Sequence, residues 1–202
     1  LAEKLQQGAS VAVNGVCLTA IKIEVGSAEF DIIQESLDRS NLGTLIIGDS
    51  VDIERACYFG DEVGGHQVTG HIDCTGKINE IRKTPNNRDV VVYCEEEWGN
   101  YLIPKGWIAI DGVSLTVVDV GNNWFSISLI PETLEKTVLG KKTKGDIVNL
   151  EFDHTTKVIV RTVERMLPEI KIQMLEEIKN NKGPVIYTLI YKNLRKILGK
   201  GC

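Results

Sequence analysis

Two stretches carry the side chains with the most chemical reach in matching order. They are Val13-Asn14-Gly15-Val16-Cys17-Leu18-Thr19 and Ile110-Asp111-Gly112-Val113-Ser114-Leu115-Thr116. Each pairs with a second stretch, Asp31-Ile32-Ile33-Gln34-Glu35-Ser36 or Ile130-Pro131-Glu132-Thr133-Leu134-Glu135, read as a strand-to-helix corner. Strand edges and a helix start present backbone N–H and C=O groups in a fixed geometry, suited to the amide edges of a flat heterocycle. Ser and Thr hydroxyls add donors and acceptors for a polyol. Recognition led by the backbone tolerates Cys17 in one copy where the other has Ser114. Metal chemistry is not expected. His66, His71 and His154 lack the i, i+4 spacing of a helical metal pair, and the five cysteines (Cys17, Cys57, Cys74, Cys94, Cys202) contain no Cys-x-x-Cys. An odd count at wide spacing reads as reduced thiols in a cytosolic protein.

The elements that must position these groups come in duplicate. Thr19 and Thr116, Glu35 and Glu132, Gly43 and Gly140, and Glu54 and Glu151 are all 97 residues apart, without a gap. An ungapped register of that length implies a duplicated domain. Each copy reads as all-β. Short β-prone runs at Ser10–Val13 and Trp107–Ile110 end in Asn14-Gly15 and Asp111-Gly112, dipeptides that accept positive φ in two-residue hairpins. Return strands follow at 16–23 and 113–120, then strands at 30–33 and 125–130. Pro131 with Gly140 beyond it predicts one or two helical turns. Strands at 51–54 and 148–152 close each set, which makes a small barrel or sandwich per copy. The second copy also extends upstream, through residues 70–76 and a strand around 90–94. Its counterpart would precede Leu1, so the first copy is expected to lack about two strands. The domains expected are 1–64, 65–155 and a helical segment, 156–202.

The tail changes period. Val160, Val163 and Leu167 follow helical spacing until Pro168, where an interruption is expected. Helices are expected again at 170–178 and 185–198. In the last, Ile186, Ile190, Leu194 and Ile197 form an apolar stripe read as an oligomerisation face. The 202 residues are 43% hydrophobic and 25% charged, as in globular chains, and a net charge of −5 argues against a nucleic-acid surface. No apolar run approaches the roughly 20 residues of a membrane helix.

The blocks 10–19, Gly64-Gly65-His66-Gln67-Val68-Thr69-Gly70-His71, 105–116 and 129–134 resemble riboflavin synthase of the homotrimeric alpha-chain type, from about Gly8 to Leu167. The resemblance implies an all-β fold of two tandem six-stranded Greek-key barrels with a C-terminal helix that associates in a trimer. It implies a cytoplasmic transferase of riboflavin biosynthesis that needs no cofactor. Two molecules of 6,7-dimethyl-8-ribityllumazine dismutate, one giving a four-carbon unit to the other, to form riboflavin and 5-amino-6-ribitylaminouracil. In the family the site lies between the N-terminal barrel of one subunit and the C-terminal barrel of its neighbour. Two copies of one substrate need two related sites, and holding them together removes an entropic barrier of up to roughly 7–11 kcal/mol.

By motif, the first copy contributes Ser10, Cys17, Leu18, Thr19 and the corner from Asp31 to Ser36, with Ser36 where the family usually has Thr. The second contributes Gly70, His71, Ile72, Lys105, Ser114, Leu115, Thr116, the corner from Ile130 to Glu135, and Asp153. The chemistry asks for a base to take a proton from the acidic C7 methyl, and for a nucleophile or water to add to the other lumazine. Ser114 with Asp153 is the candidate polar pair, and His71 a base titrating near neutrality. His71 reads equally as a structural histidine closing a turn, Cys17 as a thiolate or as packing, and Lys105 as a ligand or a solvated charge. His66 and His154 read as structural. Two other functions fit a fold of this kind. One is a lumazine or flavin antenna without turnover, disfavoured by a second copy that keeps Ser114, Thr116, Thr133, Lys105 and Asp153. The other is a flavin-dependent reductase, disfavoured by the lack of a Gly-rich nucleotide motif after a strand.

Overall fold

The computed structural model describes residues 4–180. The first part holds β1 (Ser10–Val13), β2 (Val16–Glu24), β3 (Ser27–Asp31), α1 (Gln34–Arg39) and β4 (Ile53–Arg55). A linker, residues 56–73, leads to β5 (Cys74–Lys83), β6 (Arg88–Tyr93), β7 (Trp107–Ile110), β8 (Val113–Val120), β9 (Trp124–Leu129), α2 (Pro131–Lys136) and β10 (Ile147–Phe152). Then α3 runs over His154–Asn180. The hairpins expected at Asn-Gly and Asp-Gly form. Asn14 and Gly15 have φ of 45° and 77°, Asp111 and Gly112 of 47° and 87°, as a type I′ turn requires. Val13 therefore faces Val16, and Ile110 faces Val113. Adding 97 to β1 and to α1 gives β7 and α2 residue for residue.

Strands β5 to β10 form a closed antiparallel barrel in the order β10-β5-β6-β9-β8-β7. Its inward side chains, among them Phe125, Ile127, Ile108, Ile110 and Leu150, are almost fully buried. Trp98, stacked 5.1 Å from Phe152, and Tyr101 pack beside them. The first part is the copy expected to lack about two strands. Its strands form a four-stranded sheet in the order β3-β2-β1-β4, the arrangement of β9-β8-β7-β10. Positions 97 before β5 and β6 fall ahead of residue 1, so the described strands include none to complete the ring. Val13, Val16, Leu18 and Leu42 make this sheet's core, with Ile72 of the linker packed on it.

The two parts meet at their hairpin tips. A Cβ on Gly15 would collide with the Gly112 backbone, so only glycine allows this approach. Around the tips Asn14, Asn41, Asp111 and Asn149 are buried and joined by hydrogen bonds. The contacts are reciprocal. Asn41 N–H donates to Asn149 Oδ1 at 2.6 Å, and Val138 N–H, 97 residues after Asn41, donates to Asp52 Oδ1 at 2.9 Å. Asp52 is itself 97 residues before Asn149. Burying an apolar sheet face and pairing most of the polar groups near it joins the parts into one compact unit, the described residues up to 157, with those from 158 on as a second.

Helix α3 corrects one expectation: it passes through Pro168 without a break. Proline costs one i→i−4 hydrogen bond and crowds one carbonyl, and the flanking residues, rich in Glu, Leu, Met, Lys and Ile, continue the helix on both sides. The expected helix at 185–198, with its apolar stripe, lies outside the described residues. Among the described residues no helix is long and apolar enough to cross a membrane.

Candidate active site

Alternation along β2 turns Cys17 and Thr19 outward while Val16, Leu18 and Ala20 are buried. Along β8 it does the same for Ser114 and Thr116 against Leu115 and Val117. Leu18 and Leu115, expected to line the site, point into the two cores (6% and 8% exposed), so what they offer outward is backbone. Ser10 is exposed opposite Thr19, and Trp107 occupies the corresponding place opposite Thr116. Asp31 ends β3, also opposite Thr19. The corners project apolar surface: Ile32, Ile33 and Ile130 are 37%, 66% and 55% exposed. Neither Ile33 nor Ile130, the N-cap residues of α1 and α2, makes a side-chain cap. On the exposed sides of these helices Gln34 bonds Asp38, Glu35 bonds Arg39 and Glu132 pairs with Lys136. Pro131 and Glu135 are exposed too, whereas Ser36, Thr133 and Leu134 are half-buried. Lys105 is exposed at φ 66°, in a tight loop where its N–H donates to Val117 O at 2.8 Å.

The linker brings the chemistry together. It runs over β8 and then β2 within six residues, 65–70, so Ser114 and Cys17 lie within about 20 Å of each other. At Ser114, His66 N–H donates to Oγ at 3.2 Å and the ring Nδ1 lies 2.7 Å from the same oxygen. Gly65 packs so closely there that a Cβ would sit 2.5 Å from Ser114 Oγ. The His66 ring stacks on Trp107 at 5.7 Å, and its Nε2 is buried with no partner among the described residues. Burial lowers the His66 pKa below its ordinary value, against the pull of Asp153 and Glu151, so the ring is neutral at pH 7. At the other end Gly70 O accepts from Cys17 N–H at 2.9 Å. Glu151, only 3% exposed, accepts from Thr69 N–H, Thr69 Oγ1 and Gly70 N–H at 2.8, 2.7 and 2.8 Å.

The hydroxyl of Ser114 is thus partnered by His66, the histidine read from sequence as structural. Asp153, expected beside Ser114, caps α3 instead: its Oδ2 accepts from Thr156 N–H and Oγ1 at 2.7 and 2.9 Å. It reaches the pair through its field on His66. His71 is exposed next to Gly70, and Ile72 is half-buried. The block Gly64-Gly65-His66 was the available signal for His66, since two glycines before a histidine permit a close backbone approach. For Glu151 the signal was its match to Glu54. An internal void inside the barrel is lined only by aliphatic side chains such as Ile78, Val92 and Ile127. It offers no polar anchor for a ligand.

Comparison with known proteins bears on the family and the fold. The family described as the lumazine binding domain matches at residues 1–56 and 69–153. Riboflavin synthase of Escherichia coli is 47% identical over 164 residues, covering 81% of this chain and 77% of the relative. That of Mycobacterium bovis is 43% identical over 166 residues, covering 79% and 80%. Among solved structures, LumP complexed with riboflavin superposes with a TM-score of 0.70 at 24% identity, covering 75% of this chain and 82% of that one, a likeness of fold. The chain belongs to the riboflavin synthase family, whose members carry the lumazine binding domain.

Proposed function

We propose that this chain is a riboflavin synthase, a transferase that moves a four-carbon unit between two molecules of 6,7-dimethyl-8-ribityllumazine. The observation that carries the reading is one linker laid across Cys17 and Ser114, matched positions 97 residues apart, in a chain of this family. Each strip offers backbone edges for a flat ring and hydroxyls for its ribityl chain. Ser114 and His66 act on the C-terminal side. A neutral imidazole 2.7 Å from Oγ takes the serine proton as that oxygen, or a water it orients, adds to the lumazine. Lys105, Thr116, Thr133 and Ile130 form the surrounding wall there, and Ser10, Thr19, Asp31 and Ile33 its N-terminal counterpart. His71, exposed beside Gly70, is available as the base for the C7 methyl.

The parts read as a duplicated module, 1–64 and 65–155, followed by a helical segment, 156–202. We assign the working form as a homotrimer in the cytoplasm. The apolar residues exposed on α3, Ile159, Val163, Met166 and Ile170 among them, support a surface that further copies cover. The test is direct: purified protein with the lumazine, and no added metal or nucleotide, forms riboflavin and the ribitylaminouracil in equal amounts. Tight lumazine binding with no riboflavin formed would sink the enzyme reading and leave a binding protein.

A further inference from the structure

Glu151 has no role in the lumazine chemistry as described, yet it is a buried carboxylate that holds three hydrogen bonds near the site. It sits on β10 opposite Ala109, with both oxygens turned to the linker. Three donors converge on it, two of them consecutive backbone N–H groups, of Thr69 and Gly70. A buried carboxylate needs such a set, because an uncompensated charge there costs several kcal/mol. The bonds fix two consecutive peptide planes, Val68–Thr69 and Thr69–Gly70, and so the direction of the next carbonyl. That carbonyl, Gly70 O, holds Cys17 N–H. Gly70 has φ 79°, and a Cβ there would lie 2.6 Å from Cys17 Cβ, so linker and β2 touch backbone to backbone. Four residues earlier the same linker delivers His66 to Ser114. On the far side Asp73 is tied to Lys157 Nζ and Phe152 N–H at 2.8 and 2.9 Å. Among the described residues only Glu151 grips the span between the two matched positions from below.

We propose that Glu151 is a positioning residue. Its carboxylate locks the Thr69–Gly70 peptide, and the linker thereby holds Cys17 and Ser114, with whatever each binds, at one fixed separation. Glu151 touches no substrate in this account. A misplacement of about 1 Å at reacting centres is enough for a large loss of rate, so the linker needs a stiff anchor. Glu54, 97 residues earlier, is exposed on β4.

The test compares Glu151→Gln with Thr69→Val. A glutamine keeps the shape and one oxygen but turns an amide N–H₂ toward a backbone donor, so Gly70 is released. Valine at 69 removes only the hydroxyl bond and leaves the carboxylate in place. Alkylation of the resting protein by iodoacetamide, resolved by peptide mass, is expected to speed up about fivefold at Cys17 in Glu151→Gln, and less than twofold in Thr69→Val. Cys57, exposed on the linker before this grip, serves as the internal reference and is expected to be unchanged. Where the enzyme reading holds, kcat falls about tenfold in Glu151→Gln while lumazine affinity, read from its fluorescence, changes less than threefold, since each strip is intact. The acid limb of the pH–rate profile also moves to lower pH, because His66 then faces Asp153 alone. In the unaltered protein the Thr69 and Gly70 amides, outside any strand, are expected to exchange at least 100-fold more slowly than that of Gln67. An unchanged Cys17 rate, an equal rise at Cys57, or fast exchange at both amides overturns the proposal. The alkylation and exchange arms need no turnover, so they decide the role of Glu151 even if the protein only binds lumazine. Should Glu151→Gln fail to fold, the exchange arm decides alone.

Discussion

Replacing Asp111 with asparagine should make the protein more stable at alkaline pH and no more stable in acid. Asp111 lies in the β7–β8 turn, 1% exposed. Its Oδ1 accepts from Asn149 N–H at 2.8 Å and Asn41 Nδ2 at 2.9 Å, while Oδ2 has no hydrogen bond and faces Lys142 Nζ at 3.7 Å. Burial pushes its pKa from 3.8 to about 6. The Asn149 bond, Lys142 and Asn41 pull it down, and Asp52 adds to the rise. The folded state therefore holds this proton more tightly than the unfolded chain. The stabilisation is complete below pH 3.8 and is lost as pH rises through about 6. At roughly 1.36 kcal/mol per pH unit, the charged form costs about 3 kcal/mol near pH 8. Asparagine keeps the Oδ1 acceptor and sheds the charge, as Asn14 already does 97 residues earlier. Its amide nitrogen gains no acceptor, which costs about 1–2 kcal/mol; the attraction to Lys142 is already contained in the shifted pKa. The net gain expected is about 1–2 kcal/mol near pH 8, a rise in Tm of roughly 2–8 °C for a domain of this size. Near pH 4 the gain vanishes or reverses. Thermal unfolding followed by circular dichroism at both pH values checks this. The same Tm change at both, or a loss near pH 8, would refute the reasoning.

Other outcomes follow from the same geometry. Ser114→Ala should lower kcat about 100-fold with little change in lumazine affinity, as for a hydroxyl that acts in the transition state; steady-state kinetics with a binding titration separates the two. In the proposed mechanism His66, held below its ordinary pKa, works as the neutral ring, so kcat/KM should fall as acid protonates it, and His66→Gln should flatten that acid limb. Gly15→Ala forces a Cβ into the Gly112 backbone at φ 77° and should cost at least about 2 kcal/mol, seen as a lower urea midpoint. For the proposed homotrimer, Ile159→Glu with Val163→Glu should shift the mass in solution toward monomer without lowering the melting of the β unit; an unchanged mass would remove α3 from the interface.

Much of this was legible in local chemistry. Asn14-Gly15 and Asp111-Gly112 announce their turns because few residues tolerate positive φ, and Pro131 marks the first turn of α2 because its missing N–H costs nothing there. The strips at Cys17 and Ser114 follow from strand alternation. Alternation fails on β10, where the polar Asn149 and Glu151 alternate with Val148, Leu150 and Phe152 and yet all five are buried. The outer face of that strand is covered by the first copy at Asn149 and by the linker at Glu151, contacts between residues about 80–110 apart in sequence. His66 escaped for the same reason. The two glycines before it permit a close approach but do not say that the linker folds back over β8, so a side chain without local partners read as structural. The long α3 escaped because proline is a strong local signal, overridden by good helix formers on both sides.

The meeting of Gly15 with Gly112 has a consequence for how such a protein can change. Where two hairpins abut through main chain alone, the gap between the halves is a constant of peptide geometry, insensitive to which side chains are chosen elsewhere. Each half is then free to diverge in what it grips, serine in one and cysteine in the other, while the calliper that spaces them keeps its setting.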